Sequence, residues 1–262
     1  MGLTELSILF PAFLAGMLVV ATHVPLGQQV LNRGIVFIDL AIAQVAGLGV
    51  TAADTIGFGS EGWRVQAAAG IAALLGALLL TWTERKWPEV QEALIGVLFI
   101  LSASVELLFL ANNPRGGEHL KDLLVGQILW VTPASLWPTA VLYSAVLAAW
   151  FLYRQRLGQI GFYVLFALVV TQSVQLVGIY LVFSSLIVPA LAAKLYPERI
   201  RLAVGYAVGV VGYVSGLIAS SIFDLPTGAV IVVTLVVTFL VTTMLARGGA
   251  VAVDAAPAPR TS

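Results

Sequence analysis

The chain contains no cysteine, which excludes disulfides, thiolate metal ligands and cysteine nucleophiles. Charge is almost as scarce. Lys and Arg together number 13, as do Asp and Glu, in 262 residues. That is 10% of the chain, where soluble domains carry about a quarter. The three lysines (Lys86, Lys121 and Lys194) follow Arg85, Leu120 and Ala193, so the Gly-Lys-Ser/Thr step of a Walker phosphate loop is missing. HExxH, GxSxG and paired catalytic carboxylates are missing too. So few polar groups cannot cover a globular surface, which excludes a soluble enzyme, a nucleic-acid binder and a disordered regulator.

What the chain has in excess is apolar length. Hydrophobic residues make up 60% and the mean hydropathy is +1.01. Apolar runs lie near 6–22, 35–53, 65–83, 93–111, 137–153, 160–195, 202–222 and 227–246. Runs of roughly 17–20 residues match a spanning helix, whereas a barrel strand alternates over about 10 residues. The expected fold is therefore all-α and polytopic, with about eight or nine transmembrane helices over 1–246. A small, Pro-containing tail over 247–262 is expected to be disordered. Glu5 stands where a signal peptide has its basic region, so the first run is read as a retained helix.

The 160–195 run is too long for one crossing and carries a polar knot, Thr171, Gln172, Ser173 and Gln175. Counting basic residues chooses between one crossing and two, because cytoplasmic loops collect Lys and Arg. Two crossings put ten of the 13 basic residues on one side and leave Arg64, Arg115 and Lys121 on the other. One crossing removes the bias. Nine crossings follow, with the N-terminus outside and the C-terminus in the cytoplasm. Residues 123–131 are apolar but short, and are expected to form a half-helix dipping in from the outer side. Gly205-xxx-Gly209 and Gly212-xxx-Gly216 are read as helix packing sites.

Polar groups at membrane depth are costly and usually face a cavity or a partner. Asp39 and Gln44 lie in the second run, offset by roughly 140° around a helix, so they do not form a tight pair. Asp39 either bonds a neighbouring helix or belongs to an ion pathway. Glu106 either snorkels or pairs structurally, or it lines a pore. His23, just after the first run and before Pro25, reads as an interfacial cap. Glu118, His119 and Asp122 combine oxygen and imidazole donors suited to Zn²⁺, Mn²⁺ or Fe²⁺. They fit equally a solvated loop with acids near a helix start.

Four stretches resemble the metal-ion permease family of ABC importers: Glu92–Ile100 (EALIGVLFI), Leu123–Leu129 (LLVGQIL), Val174–Ala193 (VQLVGIYLVFSSLIVPALAA) and Asp224–Val230 (DLPTGAV). Order and spacing fit over roughly 10–245. The resemblance implies a multi-pass subunit of the bacterial inner membrane without an ATPase of its own, in agreement with the missing Walker loop. It implies a separate ABC ATPase, an extracytoplasmic metal-binding protein and a second permease copy, hence a dimer in membrane lipid. It also implies alternating-access import of a divalent metal ion as cargo, with no permanent cofactor and no nucleic-acid partner. Many members carry Asp-x-x-x-His on the second helix. Aligning Gly49-Val50 places Gln44 at the His position and Leu40 at the Asp position, with Asp39 one residue early. The family's ATPase-coupling segment is reduced here to a short loop around Arg154, Arg156, Leu157 and Gly158, shared with 195–201.

The sequence thus reads as a metal-ion permease subunit, with zinc as first expectation and manganese or iron next. Asp39, Gln44, Glu106, Glu118, His119 and Asp122 are the candidate pathway residues. The alternative class is a stand-alone secondary carrier, which would usually show inverted repeats, and none is evident. A membrane-embedded enzyme lacks any supporting motif.

Overall fold

A computed structural model of the chain describes residues 3–57, 62–110, 124, 126 and 128–254. Among these, every regular element is helical: α1 (Leu3–Arg33), α2 (Ile38–Thr55), α3 (Trp63–Lys86), α4 (Gln91–Leu110), α5 (Pro133–Val177), α6 (Ile179–Lys194), α7 (Glu198–Phe223) and α8 (Thr227–Asp254). The expected all-α polytopic fold is observed. Within α5 the backbone leaves helical geometry at Gly158, at φ 56° and ψ −159°, a region that essentially only glycine occupies. There the chain reverses. Tyr143 and Ser173, fifteen residues before and after Gly158, share a hydroxyl–hydroxyl bond, and Gln172 Nε2 donates to Thr139 Oγ1 at 3.0 Å. Two members of the polar knot therefore pin the two limbs of α5 against each other.

Splitting α5 gives nine helical segments among the described residues. Seven are long and apolar enough to cross a membrane. The other two are α2, with 18 residues, and α6, with 16. Side-chain contacts fix their directions. Arg33 lies 3.6 Å from Glu84 and 4.5 Å over the Phe162 ring. Arg85 Nε donates to Gln159 at 3.1 Å. A cavity between α1, α5, α6 and α7 is lined by Gln28, Asn32, Trp150, Lys194 and Arg201. One end of the bundle thus gathers Arg33, Arg85, Lys194 and Arg201, as the two-crossing reading of 160–195 requires.

The break between α5 and α6 falls at Gly178, three residues after the knot rather than inside it. It lies at φ 81° and ψ 162°. Its neighbour in space is Gly126: a Cβ on Gly126 would lie 2.2 Å from the Val177 carbonyl. Of the expected half-helix over 123–131, the described residues contribute this contact and a 3-10 turn, Ile128–Trp130.

The two small-residue pairs on α7 serve different neighbours. Gly205 and Gly209 face Val24 and Val20 of α1, while Gly212 and Gly216 face Leu235 and Ile231 of α8. The packing reading holds. His23 is corrected. It is not at a helix end but inside α1, fully buried, with Nδ1 2.9 Å from the Val19 carbonyl oxygen. Pro25 lies inside α1, where α6 and α7 pack closely: a Cβ added to Gly27 would meet the Leu186 carbonyl, and one added to Gly205 would meet Val24. α8 remains helical to Asp254, past the expected start of the tail at 247.

Candidate functional site

The polar residues of interest lie along one seam, between α2 and α4. These helices run parallel. Phe37 N–H donates to Glu92 Oε1 at 3.2 Å at one level, and Thr51 Oγ1 donates to Glu106 Oε1 at 3.1 Å at the other. On α4 the buried residues Gln91, Ile95, Ser102, Glu106 and Leu110 share one stripe. The opposite face, including Val97, Ile100 and Leu108, is bare in the single chain. On α2, Gln44 and Thr51 are seven residues apart, two turns along one face, and both meet Glu106.

The outer level of the seam is this triple. Glu106 is 1% exposed, Gln44 4% and Thr51 2%. Gln44 Nε2 donates to Glu106 Oε2, and Thr51 donates to the other oxygen. Of the sequence-based alternatives for Glu106, the structure shows it paired with neighbours rather than snorkelling. Its carboxylate turns inward, where α2 offers two donors. Both of these partners are neutral, and a buried carboxylate held by neutral donors is receptive to a cation.

The inner level lies toward the basic end, roughly 15–20 Å away by helix rise. Asp39 is 1% exposed in the first turn of α2, and neither of its oxygens accepts a well-formed hydrogen bond. The second oxygen of Glu92, Oε2, is also buried and unbonded. As the helical offset anticipates, the structure does not bring Asp39 to Gln44. Glu92, at the start of a motif but not among the sequence-based site residues, is the addition. Its only sequence signal is an acid entering an apolar run. Among the described residues no three His, Asp or Glu side chains gather as a metal cage.

Glu118, His119 and Asp122 lie outside the described residues. Around the expected coupling segment, Arg156 and Gly158 are exposed and Leu157 is half-buried at the reversal of α5, at the basic end. The Arg154 side chain lies outside the described ones. A neighbouring network binds this end together: Gln91 Nε2 donates to the Leu80 carbonyl at 3.0 Å, and Thr83 Oγ1 to Gln91 Oε1 at 2.9 Å.

Comparison with known proteins agrees with this architecture. The manganese transport system membrane protein MntC of Halalkalibacterium halodurans is 26% identical over 228 residues, covering 79% of this chain and 76% of that protein. The high-affinity zinc uptake system membrane protein ZnuB of Haemophilus influenzae is 24% identical over 249 residues, covering 86% and 93%. The solved structure of PsaBC from Streptococcus pneumoniae in complex with Fab shares the fold, with a TM-score of 0.74 at 22% identity over 92% of each chain. The sequence matches the ABC 3 transport family over residues 5–162 and 155–246. With that match over nearly its whole length, the chain belongs to the ABC 3 transport family.

Proposed function

We propose that this chain is the membrane subunit of an ATP-driven importer in the bacterial inner membrane, and that its cargo is a divalent metal ion. The observation that carries the reading is the pair of acidic levels on the α2–α4 seam of an ABC 3 family chain: Glu106 with Gln44 and Thr51 at one height, Asp39 with Glu92 at the other. An ion that sheds water inside a low-dielectric protein needs anionic or strongly dipolar ligands, and α2 and α4 supply them in sequence. Glu118, His119 and Asp122 are the outer landing point in this reading. The ion then passes the Glu106 level and leaves past Asp39 toward the basic, cytoplasmic end.

The relatives named for manganese and zinc transport support this cargo class. The missing Walker step supports placing hydrolysis on a partner ATPase. That partner docks at the basic end on Arg154, Arg156, Leu157 and Gly158 and on residues 195–201. A second copy of the chain and an extracytoplasmic metal-binding protein complete the assembly.

Uptake of radiolabelled Mn²⁺ and Zn²⁺ in cells that lack their own importers tests the reading. Accumulation should require this chain and should collapse when the partner ATPase is inactivated. Uptake that persists without a working ATPase points instead to a secondary carrier.

A further inference from the structure

The outer level has an unusual donor set. Among the described residues, the groups bonded to the Glu106 carboxylate are an amide and a hydroxyl: Gln44 Nε2 on one oxygen and Thr51 Oγ1 on the other. The only histidine among the described residues is His23, on α1, whose Nδ1 is engaged with Val19 and Thr22. The α2–α4 seam itself therefore offers no imidazole and, in a chain without cysteine, no sulfur.

Gln44 is the residue that can change what it presents. Its amide carries two donors on one side and a carbonyl acceptor on the other. In the structure the NH₂ group faces the carboxylate and occupies it as a cation would. When a cation arrives at Glu106, the N–H can no longer point there. A half-turn of the terminal torsion replaces nitrogen by Oε1. The ion then has carboxylate, amide carbonyl and hydroxyl oxygens around it, and water fills the remaining positions. Carboxylate, carbonyl and water suit Mn²⁺ and Mg²⁺, with six-fold oxygen geometry, whereas imidazole and thiolate suit Zn²⁺.

Resting on the reading that the α2–α4 seam carries the ion, we propose that Gln44 sets selectivity at this level. By offering an amide carbonyl beside Glu106, it disfavours zinc relative to an oxygen-preferring divalent cation of the manganese type. This reverses the zinc-first expectation. The amide is at once the occupant of the empty site and a ligand of the filled one, so Glu106 is never left buried without a partner.

The test measures equilibrium binding of Mn²⁺ and of Zn²⁺, each added alone, to the purified full-length chain. The Glu106→Gln chain sets the baseline for ions held elsewhere, and uptake of the same two ions is measured in cells. The parent should show Glu106-dependent manganese binding. Gln44→His should move the zinc-to-manganese binding ratio at least tenfold toward zinc. Gln44→Met, which keeps the volume and removes the carbonyl, should lower Glu106-dependent manganese binding at least tenfold while the protein elutes as a single species. An unchanged ratio in Gln44→His, unchanged manganese binding in Gln44→Met, or a parent that binds zinc over manganese by the same margin overturns the assignment. If those results come with ATPase-dependent metal uptake intact, only the role of Gln44 falls. If the cells take up neither ion, the importer reading falls with it.

Discussion

The hydroxyl of Tyr206 on α7 donates to the carbonyl of Ala21 on α1 at 3.1 Å. Ala21 stands four residues before Pro25, so its carbonyl is the one that the missing N–H of proline leaves free. In an apolar medium such a group must be satisfied by a neighbour, and Tyr206 is that neighbour. Tyr206→Phe should lower stability by about 1 kcal/mol, read as a drop in the thermal midpoint of the detergent-solubilised protein. In a Pro25→Ala background, where the helix regains its N–H, the same substitution should have a much smaller effect. Equal losses in both backgrounds would show that the tyrosine does not serve this carbonyl.

Gly126 should tolerate no side chain. Its φ of 69° is in the left-handed region, and a Cβ would meet the Val177 carbonyl at 2.2 Å. Positive φ and backbone overlap together should cost Gly126→Ala roughly 2–4 kcal/mol. Gly96→Ala is the control, because nothing lies within 4 Å of a Cβ there. The fraction of monodisperse protein after heating, compared between the two variants, reads the difference.

Single cysteines can map the topology cleanly in a chain that has none. With Arg85 bonded to Gln159 at the reversal of α5, cysteines at 156 and 199 should react with an impermeant thiol reagent only after the cells are opened. A cysteine at 64 should react in intact cells. Labelling at 199 from outside would remove the nine-crossing arrangement.

Asp39→Ala should reduce metal uptake at least tenfold at unchanged expression. Its thermal midpoint should stay close to the parent's, because the carboxylate has no well-formed hydrogen bond to lose. Normal uptake would leave Asp39 as an acid that complements the dipole at the start of α2.

Composition and the length of the apolar runs determine that this is a polytopic helical membrane protein, because lipid admits so few ways of satisfying a backbone. The basic residues determine which ends lie together. The 140° offset of Asp39 and Gln44 was legible as well, since it follows from helix geometry alone. Three things required tertiary structure. His23, before Pro25, reads as an interfacial cap until α1 is seen to run through both and Tyr206, 185 residues from Ala21, supplies the bond that the proline removes. Glu106 reads equally as snorkelling, pairing or lining a pore until α2 presents two donors to it. Glu92 is only the first residue of the EALIGVLFI stretch until its oxygen is seen to accept from Phe37, two residues before Asp39. In each case a polar atom takes whichever partner is close once the helices have packed. The helix period sets which face a side chain occupies, and only the packed bundle decides what stands opposite.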